Sequence, residues 1–566
     1  MSTASDFLNL RSLPARARQR SGLSIFAVVI GCLLITPVVS VVISAAAPDS
    51  GTLAHLARTV LADYLVNTVI LVFGVGFGTL LIGTSTAWLV TMCRFPGQRF
   101  FEWALIMPLA MPAYIIAYAY TDLLSHPGLV QSTLRDLMGW GPRDYWFPNV
   151  RSLGGAVTMF VFVLYPYVYL LSRSAFLQQS SCYADASRSL GRSAWNTFWT
   201  VTLPLARPAI AGGVTLAVME TLADFGAVSH FGVQTFTTGI YRALLSMNDA
   251  TAAAQLSTML LGVVFLVVML ERWERRRARY VNSRNARDLH QYPLVGARAW
   301  WATALCALPV LLGFVIPVIV LAHLSLIDGH SIVSERYFHL IVNSLILASL
   351  AAIVIVMVAF FLAYSARLRP GKLTGTANRL ASLGYAVPGS IIAVGILIPL
   401  ASFDNALDAF VRETFGFSLG LLLTGSIAGL IFAYVVRYMA VGLNGLDAGF
   451  GKIPLHLDEA ARTLGRGEFG VLRAVHLPML RGTLLTAWLM VFVDVMKELP
   501  ATLILRPFNY DTLAIQAYRL ASDERLAQAS TPSLFLVGVG LLPVLILSRR
   551  ITSSHRRSGA SEPSAS

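Results

Sequence analysis

Charge is what this 566-residue chain has least of: 13% of its residues are Asp, Glu, Lys or Arg, about half the quarter found in soluble domains. That scarcity excludes an ordinary water-soluble globule. Cysteine is almost as sparse. Cys32, Cys93, Cys182 and Cys306 lie far apart, with no CxxC and no Cys/His spacing of a metal site, so neither a disulfide framework nor a zinc module is expected. No HExxH and no GxSxG placed on a strand-turn-helix occurs. A phosphate-binding G-x-x-x-x-G-K-[ST] loop is missing too, because Gly371-Lys372 runs into Leu373 and Gly451-Lys452 into Ile453. The chain is therefore expected to catalyse nothing and to bind no cofactor.

What is present is apolar: 56% hydrophobic residues and a mean hydropathy of +0.67. A run of eighteen or more apolar residues crosses about 30 Å of hydrocarbon as a helix, and about twelve such runs recur along the chain. They are expected at 23–46, 65–91, 102–122, 153–173, 207–228 and 254–271, then at 299–325, 340–366, 378–402, 417–442, 482–505 and 532–548. Pro108, Pro112 and Pro388 interrupt the third and ninth, which is tolerated where neighbouring helices satisfy the freed carbonyls. Ser44-Ala45-Ala46-Ala47 looks like a signal-peptidase site, but the preceding run exceeds a signal peptide's core. It reads as a retained anchor.

The formal charge of +14 does not point to nucleic acid, because the arginines sit in short clusters at every second connection. Arg11, Arg16, Arg18 and Arg20 precede the first run; Arg94 and Arg99, Arg188 and Arg192, and Arg272 to Arg279 follow the second, fourth and sixth. The second half repeats this at Arg367, Arg369 and Lys372, at Arg462 and Arg466, and at Arg549 to Arg557. Basic loops stay on the cytoplasmic side, so both termini are expected inside.

The two halves also align. Asn67-Thr68-Val69-Ile70 falls on Asn343-Ser344-Leu345-Ile346, 276 residues apart, and Pro96-Gly97 on Pro370-Gly371, 274 apart. Pro112-Ala113-Tyr114-Ile115 falls on Pro388-Gly389-Ser390-Ile391 at 276, and Tyr241-Arg242 on Tyr518-Arg519 at 277. Six spans per copy insert both copies the same way up, a parallel repeat with a pathway between halves. The fold expected is an all-α polytopic membrane protein of two tandem six-helix repeats, 23–271 and 299–548. A basic tail at 1–22, a basic cytoplasmic linker at 272–298 and a tail at 549–566 complete it.

Two connections match most closely. Asp185-Ala186-Ser187 leads to Gly191 and Pro204; Glu459-Ala460-Ala461 leads to Gly465 and Pro478. Acid to glycine is six residues and glycine to proline thirteen in both. An acid in the first turn and a glycine after the last make a short helix with a clean stop. These loops, 183–206 and 456–480, resemble the E-A-A-x-x-x-G loop of binding-protein-dependent ABC importer permeases. The resemblance implies that each docks into a cleft on an ATPase subunit, so that two ATPase copies, a periplasmic binding protein and the lipid bilayer are the partners. ATP and magnesium would then belong to the ATPase. Asp185 for Glu and Ser187 for Ala depart from the pattern and put the first docking in doubt.

Outside the loops, Glu220-Thr221-Leu222-Ala223-Asp224-Phe225-Gly226 and Asp494-Val495-Met496-Lys497-Glu498-Leu499-Pro500 resemble the double-length permeases of bacterial ferric iron importers, in the inner membrane. Glu220 superposes on Asp494 and Asp224 on Glu498, both 274 apart. Spaced i and i+4, each pair is expected on one helical face, about 20 to 25 Å from the cytoplasmic start of its span. Acids at that depth face a cavity or a partner. Ferric iron is a hard cation suited to oxygen ligands, so the four could line its pathway; equally, Lys497 and backbone groups could pair them as a gate. No residue is assigned as a metal ligand. Thiamine, polyamine or phosphonate import by the same machinery, or an ion-coupled secondary transporter, remain the alternatives.

Overall fold

In hydrocarbon every backbone N–H and C=O must be satisfied within the segment, so the apolar runs can only be helices. A computed structural model describes residues 22–48, 51–179, 187, 189–277, 291–328 and 335–559. Among these, eleven helices are long and apolar enough to cross a membrane, or twelve if one bent pair counts as a span. The only strands are two-residue segments, Cys93–Arg94 and Tyr292–Pro293, which pair in parallel.

The repeat seen in the sequence reappears as matched local structure. Ser152 and Ser426 start the helices Leu153–Gln178 and Ile427–Phe450, each accepting from the N–H three residues on. The 3₁₀ turns Met107–Ala110 and Leu383–Ala386 precede Pro112 and Pro388. Two π-turns, Phe198–Thr202 and Leu472–His476, lead into Leu203–Ala223 and Leu477–Met496. In each, the last N–H before the proline reaches back five residues, Leu203 to Phe198 and Leu477 to Leu472. Pro204 and Pro478 have no N–H to continue the ordinary ladder, and the wider turn absorbs the mismatch.

Several expected boundaries move. The third span is not one helix: the segments Gln98–Ala110 and Ala113–Met138 meet at 92°, because Pro112 opens a new helix rather than sitting inside one. The ninth begins after Pro388 and runs Gly389–Phe415. The tenth begins ten residues later than expected, at Ile427. Asp404 and Asp408 organise the loop before it, Asp404 accepting from Leu423 N and Thr424 N and Asp408 from Leu419 N and Gly420 N.

The first helix of each half lies on the other half. Gly22–Ala45 packs against Lys372–Ser382 and Gly389–Phe415 as well as Ala250–Arg277, and Leu23 O accepts from Ser365 Oγ. Ile316–Asp328 packs against Ala113–Leu124 as well as Leu526–Gly559. Tyr120 Oη donates to Leu312 O at 2.6 Å, and Thr303 Oγ1 to Pro96 O at 3.0 Å.

Candidate functional site

The acids at the centre do not share one helical face, contrary to expectation. Leu203–Ala223 ends after Glu220, and Asp224 is its C-cap in extended conformation. Leu477–Met496 likewise ends at Met496, with Lys497 as its cap and Glu498 beyond. A short helix resumes in each half, Gly226–His230 and Pro500–Leu505. The physical cause of the break is visible in the hydrogen bonds. Asp224 Oδ1 accepts from Ala227 N at 2.8 Å and Val228 N at 3.3 Å. Glu498 accepts from Ala501 N at 2.8 Å and Thr502 N at 3.0 Å, and from the Thr502 hydroxyl. The second acid of each pair thus satisfies the orphan donors at the start of the new helix, a role that i, i+4 spacing on a continuous helix would forbid.

The two breaks meet. A Cβ on Gly226 would lie 2.8 Å from Leu499 Cδ2 and from Tyr114 Cβ, so only glycine lets the halves approach there. Tyr241 Oη donates to Pro500 O across the interface, Phe225 stacks on Tyr241 with centroids 3.7 Å apart, and Tyr518 Oη lies 3.5 Å from Ser229 Oγ in the opposite sense. The tyrosine pair of the repeat therefore knits the halves together.

Beside this seam is a cavity of about 110 Å³ lined by Tyr114, Tyr167, Glu220, Asp224, Arg437, Tyr438, Lys497 and Glu498, with apolar residues between. Three of the four expected acids reach it. Asp494 does not; it is held by Lys497 at 3.1 Å. Among the described residues no three His, Cys, Asp or Glu side chains converge as a metal-holding group. Arg437, which sequence reading missed, lines the cavity with Nη1 buried and without a hydrogen bond. Its only sequence signal was a lone arginine in the middle of the tenth apolar run.

The second matched loop forms the helix Leu455–Thr463. Its first-turn acid is Asp458, not Glu459. Glu459 and Ala460 are exposed, whereas Asp458 is 6% exposed and Ala461 is buried. Arg367, at the end of Glu335–Leu368, donates to Asp458 through Nε at 2.9 Å and Nη2 at 3.1 Å, and His476 Nε2 lies 2.8 Å from Oδ1. Burial pushes the Asp458 carboxyl up, but the hydrogen bonds from Arg367 and His476 outweigh it and hold it below the ordinary carboxylate range. Nothing in the spacing distinguished Asp458 from its neighbour; the burial register does. At 274 residues' offset the first loop has Cys93, Ala184 and Thr202 at these three positions, so it cannot build the same anchor.

In the first loop, Asp185 and Ala186 lie outside the described residues. Ser187 is buried like its counterpart Ala461 and shares a hydrogen bond of 2.8 Å with Thr197 Oγ1. Gly191 and Gly465 both end their loops at positive φ, 77° and 80°, where glycine carries no strain. Beyond them each loop exposes the same two apolar side chains, Leu190 (79%) with Trp195 (59%) and Leu464 (82%) with Phe469 (74%). The match extends to position, each pair being five residues apart and 274 residues from the other.

Broken spans meeting at an interface between two like halves, with paired short-helix loops of identical spacing, define a membrane permease rather than an enzyme. Residues 79–279 match the family described as "Binding-protein-dependent transport system inner membrane component", and the chain belongs to that importer superfamily as a fused, two-unit permease. It is similar to the "Fe(3+)-transport system permease protein" of Haemophilus influenzae, 29% identical over 537 residues that cover 93% of this chain and 98% of the relative. The "Ferric transport system permease protein" of Actinobacillus pleuropneumoniae is 23% identical over 73% of this chain and 60% of its own. The "Molybdenum transport system permease protein" of Escherichia coli K12 is 25% identical, with 94% of its length covered by 39% of this chain. That a whole relative fits within less than half of the chain accords with two units in tandem.

Proposed function

We propose that this chain is the permease of an ATP-driven ferric iron importer, accepting cargo from a periplasmic binding protein and passing it through the cavity between its halves. Full-length similarity to permeases named for ferric transport supports the cargo. In this reading both termini and the 272–298 linker are cytoplasmic, and the units are 23–271 and 299–548. Two ATPase subunits, holding ATP and magnesium, engage the loops 183–206 and 456–480. The single observation that carries the coupling role is the repeat-matched pair of exposed Leu and aromatic side chains past Gly191 and Gly465, apolar knobs of a kind suited to a protein cleft.

Within the cavity the acids divide in two. Asp224 and Glu498 hold the helix breaks and act as the frame of a gate. Glu220 makes no hydrogen bond to the protein among the described residues and faces the pathway. The test is uptake of radiolabelled ferric iron by proteoliposomes containing this chain, the ATPase and the binding protein. ATP-dependent accumulation supports the reading; ATP-independent uptake driven by an ion gradient, or no uptake of iron alongside uptake of another cargo, refutes it.

A further inference from the structure

The cavity's charges are sorted by half. The first half supplies Glu220 and Asp224; the second supplies Arg437, Lys497 and Glu498. Of the second half's groups, Glu498 is spent: both its oxygens are occupied by Ala501 and Thr502. What the second half offers to the cavity is therefore cationic. Lys497 carries three donors and gives one contact to Asp494. Arg437 holds its guanidinium 5.7 Å from the Tyr438 ring centre, and its Nη1 is buried without a hydrogen bond. An ideal Cβ on Gly389 would lie 2.6 Å from that Nη1 and 2.9 Å from Glu498 Oε1. The guanidinium thus stands beside an already saturated carboxylate.

A bare trivalent cation is a poor fit to this lining. Drawn to Glu220 and Asp224, it would meet an unpaired guanidinium in a confined space shielded from bulk water, where like charges repel strongly. An oxyanion removes that conflict, since guanidinium groups bind carboxylate and phosphate oxygens with their paired donors. Size agrees. About 110 Å³ is several times the roughly 30 Å³ that one water occupies in the liquid, more than a bare ion needs.

We propose that the metal travels with a small oxyanion such as phosphate or carbonate, the metal on the Glu220 and Asp224 side and the oxyanion on Arg437 and Lys497. This rests on the reading of the cavity as the cargo pathway. The metal's charge and the oxyanion's then each face their complement, and the pair crosses the seam as one low-charge unit.

Two measurements test it. In the first, proteoliposomes with the full transporter are given ⁵⁵Fe-loaded binding protein prepared either with ³²P-phosphate or with ¹⁴C-carbonate, and both labels are counted inside. Co-accumulation of one oxyanion with iron at near one-to-one, and at least a tenfold loss of both labels in Arg437→Gln with partial rescue in Arg437→Lys, is expected; which label enters identifies the oxyanion. Iron entering with neither label, or Arg437→Gln importing iron as fast as the wild type, overturns the proposal and makes Arg437 a countercharge for the acids. In the second, ³²P-phosphate and ¹⁴C-carbonate binding to the purified chain in nanodiscs is measured by equilibrium dialysis, with thermal melts reporting whether each variant is folded. Binding by the wild type that folded Arg437→Lys keeps in part and Arg437→Gln loses supports the site, and wild-type binding of neither oxyanion overturns it. If the wild type imports no iron, the importer reading fails and this second arm alone decides the oxyanion site.

Discussion

Replacing Asp458 by Asn tests whether the second loop is mechanically fixed to the membrane helices. The carboxylate accepts three bonds from Arg367 and His476 with the Arg and Asp side chains only 8% and 9% exposed. Removing one partner of a buried pair costs about 3–5 kcal/mol. Arg367 keeps Phe450 O and Ile453 O at 2.8 and 3.0 Å, and the amide can still accept one bond, so about 3 kcal/mol is expected, close to a hundredfold in the population of a detached loop. The comparison is Arg369→Ala, which breaks the half-exposed Arg369–Glu468 pair at 3.4 Å and should cost about 0–1 kcal/mol. Amide exchange over Leu455–Thr463 measures loop detachment, and the ratio of iron moved to ATP hydrolysed measures coupling. Asp458→Asn should raise exchange and lower that ratio while Arg369→Ala changes neither. Equal behaviour of the two variants would refute the anchor. The pH dependence has a defined sign: because the folded carboxyl titrates below its ordinary value of 3.8, its stabilisation is fully present above that value and is lost as pH falls through the lower folded one. Asp458→Asn should abolish that part of the acid sensitivity.

Glu498→Gln should lower the melting temperature more than Glu220→Gln, because only Glu498 caps Ala501 and Thr502, while Glu220→Gln should depress iron uptake with little thermal effect; the reverse order would place the frame and the pathway wrongly. Charge reversal at the exposed Glu459, combined with Asp185, should leave the protein inserted and folded but weaken ATPase co-purification. Retention of wild-type binding would remove these acids from the docking surface. Reporter fusions at Asn509 should behave as periplasmic and those at Ser566 as cytoplasmic, and a cytoplasmic signal at Asn509 would mean that a span of the second half is miscounted.

The helices themselves were legible because length and apolarity leave a spanning segment no other conformation, and the repeat was legible because Pro112, Pro388, Tyr241 and Tyr518 keep one offset. The helix breaks were not. Glu220 to Asp224 reads as i and i+4, and only the capping of Ala227 and Ala501 shows that the ladder stops between them; Gly226 and Pro500 were the available hints. Asp458 was hidden because two adjacent acids satisfy the same spacing, and which one is buried depends on how the loop docks against Arg367. The position of the first helix of each half left no trace either, since a uniformly apolar segment packs equally well on either neighbour as far as its own residues can tell.

That exchange of first helices has a consequence for biosynthesis. Gly22–Ala45 finds part of its permanent seat only on residues 372–415, so during translation it must reside in lipid while roughly 330 further residues are made, roughly 15 to 65 s at about 5–20 residues per second. It is built for the wait: the segment contains no charged residue and offers nothing that lipid cannot solvate. Segments with intramembrane acids, by contrast, emerge when a neighbour of their own half is already at hand. A half-length fragment ending in the linker would insert but leave its leading helix unseated. Two fragments split at 278–290 and produced together should find each other by clasping these helices, without the peptide that joins them.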